Sequence, residues 1–130
     1  MGHEHEHPHE HQHARVNAKV AVATDDGLTV RDTFGGAAYY AVLTVRESDI
    51  VHSELREAPS DAAGNLTRAV EALADCQVAL ARRMDDDTRR TLQQAGIQPI
   101  ATAVELVEDA VDRFVLDTLA ELGMGLLDLT

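Results

Sequence analysis

Only three residues, Glu47-Ser48-Asp49, separate two runs that read as strands, Tyr39 to Arg46 and Ile50 to Arg56. A connection that short joins antiparallel neighbours, because a parallel crossover needs a dozen residues or more. The chain must therefore contain a hairpin, and its other elements have to be placed around it. Lys19 to Ala23 (K-V-A-V-A) precedes the hairpin as a β-branched run, and Thr24-Asp25-Asp26-Gly27 ends it with a strong Asp-Gly turn signal. Leu28 to Arg31 is expected to form a brief extended arm. Asp32-Thr33-Phe34-Gly35-Gly36 reads as a loop whose paired glycines permit positive φ or close approach of a ligand.

After the hairpin the pattern becomes an alternation. Pro59-Ser60-Asp61 opens a helical region capped by Asn65 or Ser60, with Leu66, Ala69, Val70, Leu73 and Ala74 at helical spacing. Cys76 to Ala81 reads as a buried strand. Asp85-Asp86-Asp87 sits at the start of the next helix, where carboxylates oppose the positive end of the dipole without any metal. That helix runs Thr88 to Ala95 and stops at Gly96, and Ile97 to Ala101 is a last short strand. Val104 to Leu122 is the final helix, with Val104, Val107, Val111, Val115 and Leu119 on one stripe. The order β-β-β-α-β-α-β-α predicts an α/β fold, a mixed five-stranded sheet with helices on its faces. Residues 1–17 form a leader, 18–122 the domain, and 123–130 a tail apolar enough (Met124, Leu126, Leu127, Leu129) to pack back or meet a partner. Ligands of such sheets bind outside the strand carboxyl ends. That rule places Thr24, Asp25 and the Phe34-Gly35-Gly36 loop at the expected pocket.

With 130 residues the chain is long enough for one small domain, and with 45% hydrophobic but 3% aromatic residues its core must be aliphatic. A net charge of −12 repels phosphate backbones and argues against DNA or RNA as partners. No apolar run approaches the roughly 18 residues of a membrane span, and no apolar signal region follows the start, so the cytoplasm is expected. Cys76 is the sole cysteine. It cannot close an internal disulfide or supply a four-cysteine cluster site. It reads as a small buried hydrophobe, or as one ligand in a set completed by other groups.

The leader carries six histidines at alternate positions, His3, His5, His7, His9, His11 and His13, interleaved with Glu4, Glu6, Pro8, Glu10 and Gln12. Neutral imidazole is the commonest transition-metal ligand, and in an extended chain alternate side chains share an edge. Nickel, zinc or copper ions fit such a set. Two plainer readings stand beside it: an engineered affinity tag, and a polar leader with only opportunistic metal affinity.

Several segments resemble the dinitrogenase iron–molybdenum cofactor biosynthesis family, of the NifX/NafY/NifB-tail type. The similarity lies in Lys19-Val-Ala-Val-Ala-Thr-Asp-Asp-Gly27, then Phe34-Gly35 followed by Ala37-Ala38-Tyr39-Tyr40-Ala41-Val42, then Asp75-Cys76-Gln77-Val78-Ala79-Leu80-Ala81. Leu92, Ala95-Gly96-Ile97 and Val104-Glu105-Leu106-Val107-Glu108-Asp109-Ala110-Val111 resemble the closing helix, strand and helix. The resemblance implies a ribonuclease H-like three-layer fold and a protein that binds or carries an iron–sulfur or iron–molybdenum-type cluster. Thr33 stands where the family's His-Phe-Gly motif places a candidate ligand, and a hydroxyl is a poor donor to a soft cluster. Arg82-Arg83-Met84-Asp85 stands where the family tends to have a glycine-rich turn. Two guanidiniums there would give charge-assisted contacts to an anionic cluster, or lie solvated on the surface. His52 remains on a strand, where a lone histidine is usually structural or solvent-facing.

The expected function is a non-enzymatic metal or metallocluster carrier that works with cofactor-assembly or metalloenzyme proteins. Its cofactor-binding candidates are Thr24, Asp25, Thr33, Phe34, Gly35, Gly36, Cys76, Arg82 and Arg83. The leader would supply imidazole donors that the pocket lacks. The alternative is a cluster-free regulatory or interaction module whose acidic surface meets a basic partner. A third reading, a two-metal nuclease using Asp25, Asp26 and Asp32, has turn chemistry and the acidic charge against it.

Overall fold

The computed structural model describes residues 15–59 and 66–128, with side chains to residue 122. The histidine-rich run and the proposed caps Ser60 and Asn65 lie outside these residues. The elements follow the order β1 (Ala18–Thr24), β2 (Tyr39–Arg46), β3 (Asp49–Glu57), α1 (Leu66–Glu71), β4 (Val78–Ala81), α2 (Asp86–Gln94), β5 (Gln98–Ala101) and α3 (Val107–Asp128). They build one mixed sheet in the order β3-β2-β1-β4-β5. β1–β2 and β2–β3 are antiparallel, whereas β1–β4 and β4–β5 are parallel. The strand order reverses at β1, so the carboxyl ends of β1, β4 and β5 share one end of the sheet.

Strand alternation sorts the aliphatic residues onto two faces. Ala21, Ala23, Tyr40, Val42, Ala79 and Ala81 pack with Ala69, Val70 and Leu73 around α1 and with Leu92 of α2. Val20, Val22, Leu43, Val45, Val78 and Leu80 pack against Val107, Ala110, Val111 and Val115 of α3. The small alanines of β1 and β4 let the helical layer sit close where two helices share a face. Valine and leucine fill the face that a single helix must cover.

Several boundaries depart from the sequence reading. The hairpin turn has two residues rather than three, because Asp49 pairs with Arg46. Both turn residues are left-handed, Glu47 at φ 51° and Ser48 at φ 71°, the backbone of a type I′ turn without its usual Asn-Gly. Neighbouring contacts hold it: the Val16 N–H donates to Ser48 Oγ at 3.1 Å, and the Glu47 N–H to Asn17 Oδ1 at 3.0 Å. The fourth strand starts at Val78 rather than Cys76, the last at Gln98, and α1 ends in turns after Glu71. Asp85 caps α2, its Oδ1 accepting from the Thr88 N–H at 2.8 Å. The final helix begins at Val107 and runs through Asp128, so residues 123–128 continue it instead of forming a separate tail. Among the described residues no helix is long and apolar enough to cross a membrane.

Candidate functional site

The turn that ends β1 satisfies itself. The buried Thr24 hydroxyl accepts from the Gly27 N–H at 2.9 Å, and Asp26 Oδ1 accepts from the N–H groups of Leu28 and Thr29 at 2.9 and 2.8 Å. Those backbone donors lower the Asp26 pKa to about 2. The chain then runs out as an arm. The Arg31 N–H donates to Ala23 O at 2.7 Å, while the N–H groups of Arg82 and Arg83 donate to the carbonyls of Arg31 and Asp32 at 3.0 and 2.8 Å. The arm therefore crosses the carboxyl ends of β1 and β4.

Arg31 organises the loop beyond. Its Nε meets Asp25 Oδ2 at 3.0 Å, and one terminal nitrogen donates to Gly35 O at 2.8 Å and to the Thr33 hydroxyl. Asp25 Oδ1 accepts from the Ala38 N–H at 2.9 Å. Gly36 needs its freedom, since its φ is 83° and the Arg31 guanidinium lies 3.6 Å from where a Cβ would stand. Phe34 turns inward, buried against Tyr40 with ring centroids 5.0 Å apart, and its carbonyl accepts from the Tyr40 hydroxyl at 2.9 Å.

Two adjoining clefts open at this end of the sheet and share Arg83. One, of about 560 Å³, is lined by Asp32, Arg82, Arg83, Ala101, Thr102 and Ala103. The other, of about 340 Å³, is lined by Thr33, Phe34, Arg83, Met84, Asp85 and Thr88. The Arg83 guanidinium reaches Asp32 as an exposed ion pair. Arg82 is exposed and no carboxylate of the described residues pairs with it. The two clefts thus offer guanidinium charge, the carboxylates of Asp32 and Asp85, threonine hydroxyls and an apolar wall.

The sequence-derived candidates divide. Thr33, Phe34, Arg82 and Arg83 line the clefts, with Gly35 and Gly36 in the adjoining loop. Thr24 and Asp25 stand behind them as turn and fastener. Cys76 is a correction: it lies at the opposite end of β4, where Gln77 donates its N–H to Lys19 O at 2.9 Å. The six steps from Cys76 to Arg82 span about 20 Å of extended chain. The thiol is buried, and burial with the neighbouring Asp75 raises its pKa to about 11, so it is neutral and enclosed. His52 is exposed on edge strand β3, with Nε2 3.5 Å from Glu54 Oε1. Among the described residues no group of three or more His, Cys, Asp or Glu side chains is placed to hold a metal ion. Asp25, Asp26 and Asp32, candidates for a two-metal centre, each engage the protein's own donors.

Arg31, which organises the loop beside the clefts, is the residue that the sequence left hidden. Its partners Asp25, Thr33 and Gly35 fall at no helical or strand period, so only the folded loop shows that they meet. The lining by Met84 and Thr88 was equally invisible, because it depends on the Thr33 loop pairing with Arg83, and that by Thr102 because it depends on the parallel register of β4 and β5.

A family described as "Dinitrogenase iron-molybdenum cofactor" matches residues 16–116. No curated protein matches the chain. Among solved structures, the apo form of the orange protein from Desulfovibrio gigas is similar with TM-score 0.63 and 27% identity, covering 82% of this chain and 92% of that one. A NifB-like protein from Thermotoga gives TM-score 0.58 at 24% identity, with 75% and 86% covered. A dinitrogenase-like protein from Methanocaldococcus jannaschii gives 0.64 at 10% identity, with 78% and 91% covered. The last two, at such low identity, speak for the fold alone. With its sheet, its cleft and a match that takes in every strand, the chain belongs to the dinitrogenase iron–molybdenum cofactor family.

Proposed function

We propose that this protein is a non-enzymatic carrier whose cargo is an anionic metal–sulfur cluster of the iron–sulfur or iron–molybdenum type, held in the cleft by charge rather than by covalent ligation. The observation that carries this reading is the donor set: exposed Arg82 and Arg83 at the carboxyl ends of the parallel strands, with the only thiol at the far end of β4. Guanidinium groups make strong charge-assisted hydrogen bonds to anions and form no bond to iron or molybdenum. A cargo held in this way can be released intact, as a carrier handing it to a cofactor-assembly or metalloenzyme protein in the cytoplasm requires. The Desulfovibrio gigas relative, known in an apo form, supports a removable ligand in this family. The ribonuclease H-like three-layer description fits the sheet order and the helices on both faces.

The histidine-rich leader is a second, independent element in this reading, binding nickel, zinc or copper ions through His3, His5, His7, His9, His11 and His13. It joins the domain at Arg15 and Val16, beside the β2–β3 hairpin, at the end of β1 remote from the cleft. β1 spans about 20 Å. His13, two residues before Arg15, reaches at most about 7 Å and stays short of the cleft, whereas His3, His5 and His7, eight or more residues out, have the contour length to reach it.

Anaerobic reconstitution of the full chain with iron, sulfide and molybdate tests the carrier reading. Visible charge-transfer absorption should survive desalting in the wild type and in Cys76→Ala, and fall at least tenfold in the Arg82→Gln/Arg83→Gln double variant. Absorption that vanishes in Cys76→Ala overturns it. A chain that takes up no chromophore is a cluster-free interaction module instead.

A further inference from the structure

We infer that a protein partner docks on a leucine-lined groove beside the cleft, and that its docking segment is apolar residues flanked by lysine or arginine. α3 alone covers its side of the sheet, and one helix about 10 Å across spans roughly two strands at about 4.8 Å each. The outer corner over β2 and β3 is left open. There a groove of about 430 Å³ is lined by Gly27, Leu28, Ala41, Leu43, Ser53, Leu106, Val107, Glu108 and Asp109.

The described residues include six large hydrophobic side chains that are markedly exposed, and three of them gather here: Leu28 at 69%, Leu55 at 50% and Leu106 at 47%. They are contiguous. The Val107 N–H donates to Leu28 O at 2.8 Å, Thr29 bridges to Leu106, and Leu55 Cδ2 lies 3.4 Å from a Cβ built on Gly27. A contiguous exposed apolar patch is the usual mark of an interaction surface, whereas scattered leucines are not.

Charge chooses the occupant. The groove's charged lining is Glu108 and Asp109 with no lysine or arginine, and exposed Glu105 adjoins it, in a chain of net charge −12. A second copy would bring the same carboxylates against these, and a basic apolar segment brings their complement. Position adds a consequence: Leu28 opens the arm that runs through Arg31 and Asp32 to the backbone of Arg82 and Arg83. A partner seated on Leu28 is thus beside the cleft from which cargo would leave. The docking surface rests on these surface residues and is independent of what the cleft carries.

The test uses the full chain without cargo and a fluorescein-labelled synthetic peptide with leucines at i, i+3, i+4 and i+7 and lysines on its flanks. Anisotropy should report binding that weakens with salt, weakens at least tenfold in Leu28→Glu and in Leu106→Glu, and fails for a peptide with glutamates in place of lysines. Amide shifts in a 15N spectrum should centre on Gly27, Leu28, Ser53, Leu55 and residues 106–109. Unchanged binding in both variants, shifts centred elsewhere, or reversible dimerisation in sedimentation that Leu28→Glu abolishes would overturn the proposal, the last by assigning the groove to a second copy.

Discussion

Asp25 and Arg31 are joined side chain to side chain, Oδ2 to Nε at 3.0 Å, and through that pair the turn after β1 holds the loop before β2. Asp25 adds a bond from the Ala38 N–H, and Arg31 adds one to Gly35 O. The Asp25 side chain is 60% exposed, so the ion pair itself is screened and the backbone bonds dominate. Asp25→Ala should cost about 1 kcal/mol in urea unfolding. It should also speed proteolytic cleavage between residues 33 and 37 far more than elsewhere. A loop no more sensitive than in the wild type would show that the pair fastens nothing.

Alkaline pH should destabilise the fold in two steps. Burial raises the Cys76 pKa from 9.0 to about 11 and the Tyr40 pKa from 10.0 to about 12. Both groups are neutral in the folded state at a pH where the unfolded chain has lost the proton. Their contribution is complete below pH 9 and is lost as pH rises toward 11 for Cys76 and 12 for Tyr40. Urea midpoints measured from pH 8 to 12 should fall, and less steeply in Cys76→Ala. The same burial predicts that Cys76 reacts with a disulfide reagent at pH 8 only after unfolding.

Acid should act on a different pair of carboxylates. The Arg56 guanidinium, 2.8 Å from both oxygens of Asp75, holds that carboxyl well below its usual range, and Lys19 adds a contact at 3.2 Å. Asp26 is lowered to about 2 by its backbone donors. Groups depressed in the folded state contribute above their ordinary value of 3.8, and the contribution is lost as pH falls through the folded value. Asp75→Asn should therefore lower stability at pH 7 by about 1 kcal/mol and make the curve between pH 4 and pH 2 shallower. A wild-type slope retained in Asp75→Asn would place the acid-sensitive group elsewhere.

The hairpin turn invites a stabilising change. Glu47 and Ser48 both have positive φ, which disfavours side chains with a Cβ. Asparagine tolerates that region and is the preferred first residue of a type I′ turn. Glu47→Asn should raise stability by about 0.5–1 kcal/mol, losing only the exposed 3.5 Å contact to Arg15. Ser48→Gly should gain less, because it removes the hydroxyl that accepts from the Val16 N–H. Thermal unfolding of the two single variants separates these effects.

Local pattern was enough for the architecture of this protein. Short β-branched runs, Asp-Gly and Gly-Ile punctuation and helical stripes such as Val107, Val111 and Val115 are written in neighbouring residues, so the five strands and three helices were legible one by one. The strand carboxyl-end rule pointed to Thr24, Asp25 and the Phe34-Gly35-Gly36 loop, whereas Arg82 and Arg83 were named through the family resemblance. What folding alone decided was which of them meet. The parallel register of β1 and β4 puts Cys76 at one end of the sheet and Arg82 at the other, although only five residues separate them in sequence. Tertiary contact likewise made Arg31 the centre of the loop and drew Leu28, Leu55 and Leu106 into one groove. Periodicity reports which face a residue occupies; only strand pairing and loop closure determine its neighbours across the sheet.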